Sequence, residues 1–133
     1  MTPKYCYCCS NKSYSECCES YILGVDFPET PEQLMRSRYT AYSLCNVTYV
    51  QTTMAGKALL NFDYHASLEF ANSVEFVSLE VVESINFGSK GTVEFLVTYL
   101  DQNKKLQVMQ EKSLFECING SWFYVDGAVN SSC

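Results

Sequence analysis

Gly91-Thr92-Val93-Glu94-Phe95-Leu96-Val97-Thr98-Tyr99-Leu100 carries an uninterrupted two-residue period. Val93, Phe95, Val97 and Tyr99 recur at every second position, the period of a β-strand with one face against a core. That period extends to both sides. Asp101-Gln102-Asn103-Lys104-Lys105 reads as a turn into a third strand over 106–117, where Met109, Glu111, Ser113, Phe115 and Cys117 fall on one face. Asn119-Gly120 is a two-residue hairpin signal, because both residues tolerate the left-handed backbone such a turn requires. A fourth strand follows over 121–125, and Trp122, Tyr124 and Asp126 are expected to share a face. Upstream, Gly88-Ser89-Lys90-Gly91 turns back into a first strand in which Val77, Leu79, Val81, Ile85 and Phe87 alternate. Four strands joined by short turns make an antiparallel meander.

Before position 74 the period is helical. Thr30-Pro31-Glu32-Gln33 opens a helix, with Thr as N-cap, Pro in the first position and Gln in the third. Leu34, Met35, Ala41, Tyr42 and Cys45 continue it at helical spacing. Asn46-Val47-Thr48 breaks this helix and caps a second one reaching Met54, which Gly56 is expected to end. A third helix is expected over 59–71, and 19–29 reads as a connector. Helices followed by a strand meander place the chain in the α+β class, with helices on one face of an antiparallel sheet.

A length of 133 residues suits one domain with a small appendage, and 47% hydrophobic against 18% charged residues supplies a core. Lys plus Arg total 9 against 15 Asp plus Glu, a net charge of −6. That balance argues against nucleic-acid and anionic-membrane partners, which need a basic stripe. No apolar run reaches the roughly 18 residues of a membrane span. Met1-Thr2-Pro3-Lys4-Tyr5 lacks the apolar segment of a signal peptide. We therefore expect a soluble cytoplasmic protein, and treat the N-x-[ST] triplets as chance matches.

Eight cysteines are present, five of them between Cys6 and Cys18. Such crowding suggests a disulfide framework or a metal site. A reducing compartment disfavours the first. Cys6-Tyr7-Cys8 and Cys17-Cys18 place two close thiol pairs at the ends of one short loop, which supplies the four soft ligands of a tetrahedral zinc ion. Four thiolates leave no open position for water, so such a zinc is structural rather than catalytic. Cys9 adds a fifth thiol that competes with Cys8. Cys45 and Cys117 read as small buried hydrophobes and Cys133 as an exposed thiol. None has a nearby His, which leaves a Cys/His nucleophile unsupported; His65, the one histidine, reads as a surface residue.

The run from Cys6 to Cys18 resembles the SEC-C zinc motif, C-x-C-x8-C-[CH], known from the tail of the bacterial secretion ATPase. Ser10, Lys12 and Tyr14 match the usual loop, whereas Tyr7 stands where the motif has Pro, and Cys9 and Asn11 stand where it has Gly. The resemblance implies Cys6, Cys8, Cys17 and Cys18 as ligands. Leu34-Met35-Arg36-Ser37-Arg38-Tyr39, Gly91-Thr92-Val93-Glu94-Phe95, Glu111-x-Ser113-x-Phe115 and Trp122-x-Tyr124-Val125-Asp126-Gly127 extend the likeness to the bacterial YchJ family. That resemblance implies a SEC-C knuckle before a nuclear-transport-factor-2-like (cystatin-like) cone of helices on a curved four-stranded sheet. The expected division is 1–28 for knuckle and connector and 29–133 for the cone. Many family members carry a second SEC-C motif and a Thr-Trp-His-Pro segment. Neither is found here: Thr53-Met54-Ala55-Gly56 occupies the latter position.

Strand alternation directs Glu111, Ser113, Trp122 and Tyr124 inward, and of Arg36 and Arg38, two apart on a helix, only one can join them. These residues suit a pocket for a small polar or anionic ligand. They equally suit a buried Arg–Glu pair whose hydrogen bonds Ser and Tyr complete, and the simpler pair is the reading preferred. Three functions compete. A zinc-stabilised binding module would present Tyr5, Tyr7 and Tyr14 to a protein partner, which the resemblance places in the chaperone, secretion or translation machinery; its cone would bind a protein or small molecule. A small isomerase- or hydrolase-like enzyme would use the cone pocket, with Glu111 as base. A thiol switch would let Cys9 displace a ligand. The binding module is the expectation adopted.

Overall fold

Thr30 opens the first long element as its sequence dictates. Its hydroxyl accepts the Gln33 backbone N–H at 3.1 Å, Pro31 takes the first helical position, and a helix, α2, runs over Pro31–Ser43. The computed structural model describes residues 5–130 and side chains as far as Gly127, so Lys4 and Cys133 lie outside the described residues. Before α2 come a 3-10 turn at Tyr14–Glu16 and the short helix α1 at Glu19–Ile22, inside what reads in sequence as connector. After it, Cys45 takes a left-handed backbone (φ 58°) and Asn46 caps α3, Val47–Thr52, by accepting from Tyr49 N at 3.1 Å.

Gly56 does not end a helix; it opens α4, Gly56–Leu60. The sheet edge causes the change. Tyr124 N donates to Thr53 O at 2.8 Å and Ala55 N to Tyr124 O at 3.0 Å, drawing the chain out of α3 into a parallel bridge between Met54 and Tyr124. The helix expected over 59–71 is likewise two. Asp63 accepts from Ala66 N at 3.0 Å and starts α5, Tyr64–Ser73, because a carboxylate cap competes with helix continuation.

The sheet is a meander in the order β1-β2-β3-β4, comprising β1 (Glu75–Asn86), β2 (Lys90–Leu100), β3 (Leu106–Ile118) and β4 (Ser121–Asn130). Each neighbouring pair is antiparallel. Asn119 (φ 51°) and Gly120 (φ 85°) form the expected hairpin turn. Two register shifts in β1, between Phe76 and Ser78 and between Val81 and Glu83, correct the simple alternation. Phe76 and Leu79 face the core, while Val77 and Val82 are exposed, as is Phe87 beyond the strand. In β4, which runs past Val125, a further shift sets Tyr124 opposite Phe115 but Asp126 opposite Leu114. Gly127, not Asp126, therefore comes opposite Ser113.

Helix α2 packs on the sheet through its first turn, where a Cβ on Gly91 would lie 2.5 Å from Pro31 Cγ. Leu34, Met35 and Tyr39 meet Leu79, Val93, Phe95, Val97 and Phe115 in one core. Cys6, Cys8 and Cys18 belong to that same cluster. The cysteine loop thus packs as part of the domain core. Among the described residues, no helix is long and apolar enough to cross a membrane.

Candidate metal centre and cone cavity

Backbone geometry gathers the four cysteines. Cys6 N donates to Lys12 O at 2.6 Å, closing a loop whose tight bends fall at Cys9 (φ 64°) and Asn11 (φ 67°). The 3-10 turn then returns the chain so that Cys17 and Cys18 face Cys6 and Cys8. All four sulfurs lie within 4.8 Å of one another, with Cys8 to Cys17 at 3.6 Å and Cys17 to Cys18 at 3.8 Å. A tetrahedron of sulfurs around zinc at about 2.3 Å has edges of about 3.8 Å, so spacing and donor type both fit that ion. Cys6, Cys8 and Cys18 are buried and Cys17 is half-exposed, its sulfur 3.2 Å from Ser10 Oγ.

The thiols perturb one another strongly. Hydrogen bonds from Cys18 and then Cys8 hold Cys6 far below the ordinary thiol range. Cys18 is driven far above it by its bonds to Cys6 and Cys8, with burial adding to the effect. At Cys8 a bond from Cys18 favours the thiolate, but Cys6 and burial outweigh it, and the thiol is pushed up to about 11. Crowded, desolvated thiols cannot all ionise alone, and a dication relieves that repulsion.

Cys9 points elsewhere. Its sulfur accepts from Leu79 N at 3.5 Å, on the outer strand of the sheet, and lies outside the four-sulfur cluster. Cys45 and Cys117, read in sequence as buried, are half-buried. Tyr7 and Tyr14 are half-buried against each other, with ring centroids 5.7 Å apart, and Tyr5 is exposed.

The six residues singled out for a pocket divide into two groups. Arg36 turns to the knuckle, donating to Cys8 O at 2.8 Å and pairing with Glu32 at 3.0 Å. Trp122 donates its indole N–H to Glu29 O at 3.1 Å, pinning the chain where it enters α2. Neither lines the cone cavity. Arg38, Glu111, Ser113 and Tyr124 do, in a cavity of about 730 Å3 between α2, α4, α5 and the sheet.

Arg38 and Glu111 form no direct ion pair; both engage Tyr124 instead. The guanidinium donates through Nη1 to Val50 O and to Thr53 Oγ1, each at 2.7 Å, and lies 4.5 Å from the Tyr124 ring centre. Burial lowers its pKa, while the Tyr42 and Tyr124 hydroxyls and Glu111 act against that shift. Tyr124 donates to Glu111 Oε2 at 3.0 Å, and Ser113 donates to the same oxygen. Burial, and after it the charge of Glu111, raises the Tyr124 hydroxyl well above the usual tyrosine range. Gly127 makes this bond possible: a Cβ there would lie 2.7 Å from Glu111 Oε2 and overlap the Tyr124 hydroxyl.

Sequence reasoning missed the cavity walls. Tyr39, Tyr42, Phe70 and Phe76 form edge-to-face and tilted contacts, with Tyr39 to Phe76 at 5.7 Å and Phe70 to Phe76 at 6.1 Å. The spacing of Tyr39 and Tyr42, one helical turn apart, was an available signal; Phe76 was hidden by the β1 bulge.

Comparison with known proteins agrees with this architecture. The family model described as YchJ, middle NTF2-like domain, matches residues 30–127. A UPF0225 protein of Serratia proteamaculans is 37% identical over 128 residues, covering 94% of this chain and 83% of that one. A SEC-C motif containing protein from Rhodopseudomonas palustris superposes with a TM-score of 0.88 at 32% identity, covering 95% of this chain and 98% of that one. One from Psychrobacter arcticus gives 0.82 at 26% identity, covering 99% and 86%. With the cone, the cysteine loop and these relatives in agreement over most of its length, the chain belongs to the YchJ family.

Proposed function

We propose that this chain is a non-catalytic binding module in which a structural zinc ion, held by Cys6, Cys8, Cys17 and Cys18, fastens the knuckle to an NTF2-like cone that receives a ligand or protein. The observation that carries this reading is the convergence of four sulfurs within 4.8 Å, three of them buried in the same core as the cone. Zinc supplies a cross-link there and nothing catalytic, since four thiolates saturate it. Arg36 supports the same attachment by holding the Cys8 carbonyl. A protein partner is favoured by Leu23, Val25 and Phe27, which stand exposed on the connector beside the knuckle. What favours binding over catalysis is Glu111, the base of the enzyme alternative, whose Oε2 is held by Ser113 and Tyr124.

Native mass spectrometry of chain purified without chelator tests the metal. One zinc per chain is expected, retained in Cys9→Ser and lost in Cys17→Ser. Disulfide-paired cysteines without metal would overturn the reading.

A further inference from the structure

Two charged side chains meet the cone cavity with hydrogen-bonding capacity unspent. Arg38 uses Nη1 on Val50 O and Thr53 Oγ1, and among the described residues nothing accepts from its other N–H groups. Glu111 Oε2 takes the Ser113 and Tyr124 hydroxyls, and among the described residues nothing donates to Oε1. No fully buried side-chain nitrogen or oxygen among those residues lacks a partner, so these atoms are not sealed in the core, and both residues line the cavity. Arg38 is 6% and Glu111 9% exposed, so they form the cavity floor. Around them stand aromatic walls, among them Tyr42, Phe70 and Phe76.

Opposite charges flank one tyrosine, Arg38 over the Tyr124 ring and Glu111 at its hydroxyl, and together they select a ligand. An organic anion seated on Arg38 would face the Glu111 carboxylate, and a cation seated on Glu111 would face Arg38; either leaves one buried charge worse off. A neutral group with a donor beside an acceptor satisfies both, giving its N–H to Glu111 Oε1 and taking an N–H from Arg38. Aromatic walls favour a flat ring system, and about 730 Å3 is ample for fused rings. We propose that the cone cavity binds a neutral, flat heteroaromatic compound through a lactam edge, an N–H next to a C=O. This rests on the binding-module reading and gives its cone a ligand class in place of the small polar or anionic ligand first expected.

Isothermal titration of the full, zinc-loaded chain with three probes of similar size tests it: 2-quinolinone, which carries the edge, naphthalene, which lacks it, and quinoline-2-carboxylate, which is anionic. The expected result is one site for 2-quinolinone, at least about tenfold tighter than for the other two. Ala66→Trp, which plugs the cavity mouth without touching the floor, should abolish that binding. Tighter binding of the carboxylate, no binding of 2-quinolinone at millimolar concentration, or binding unaffected by Ala66→Trp would each overturn the proposal. Zinc content measured on the same samples keeps the two failures apart: a zinc-loaded chain that rejects the lactam defeats the ligand class alone, whereas a chain without zinc defeats the module.

Discussion

Cys9 and Asn11 hold left-handed backbone angles of 64° and 67°. An L-residue there costs about 1–2 kcal/mol, which explains why the SEC-C motif usually carries glycine at both places. Cys9→Gly should accordingly raise stability by about 1 kcal/mol in denaturant unfolding, with zinc content unchanged. A loss of zinc in that variant would make Cys9 a ligand. Gly127 presents the opposite case. Gly127→Ala forces a Cβ into the space of the Tyr124 hydroxyl and Glu111, and should cost about 2 kcal/mol while separating that pair. Tyrosine hydroxyls also set an alkaline limit. Burial pushes Tyr49 from 10.0 up to about 12, and Tyr39 and Tyr124 are raised for the same reason. The unfolded chain ionises first, so stability is undiminished below about pH 10 and falls as pH climbs toward about 12. Unfolding at about pH 9 and about pH 11 should show the drop.

At the scale of elements, the register of β1 gives the sharpest contrast. Phe76 packs on Tyr39, Phe70 and Tyr99, whereas its neighbour Val77 is 50% exposed. Phe76→Ala should cost about 3 kcal/mol and Val77→Thr within about 0.5 kcal/mol, measured by chemical unfolding. Equal costs would refute the bulge. This register also marks the limit of what periodicity conveys. β2 and β3 were legible because Val93–Val97 and Met109–Cys117 alternate without interruption. A bulge inserts one residue with no compositional trace, so Val77 and Asp126 read as inward when neighbouring Phe76 and Gly127 take those faces. Gly56 misleads for a related reason: its helix boundary is set by pairing of Thr53 and Ala55 with Tyr124, far along the chain. The site divides likewise. Four cysteines announce themselves by spacing, and Glu111, Ser113 and Tyr124 by alternation. Which of Arg36 and Arg38 reaches the cavity depends on how α2 is rolled on the sheet, and local sequence does not encode that.

On the scale of the whole molecule, the knuckle and cone share one core. Cys6, Cys8 and Cys18 pack with Leu34, Met35 and Trp122, Cys6 Sγ lies 3.8 Å from Thr40 Oγ1, and Arg36 bonds the Cys8 carbonyl. Chelation should therefore destabilise the cone as well as the loop, visible as one lowered unfolding transition followed at Trp122. On the reading proposed above, this shared core closes around a zinc ion bound by four sulfurs. Zinc K-edge X-ray absorption of the purified chain reads that ligand shell. Four sulfur scatterers at about 2.3 Å, unchanged in Cys9→Ser, are the predicted result. A shell containing nitrogen or oxygen, or one that loses sulfur in Cys9→Ser, would contradict it.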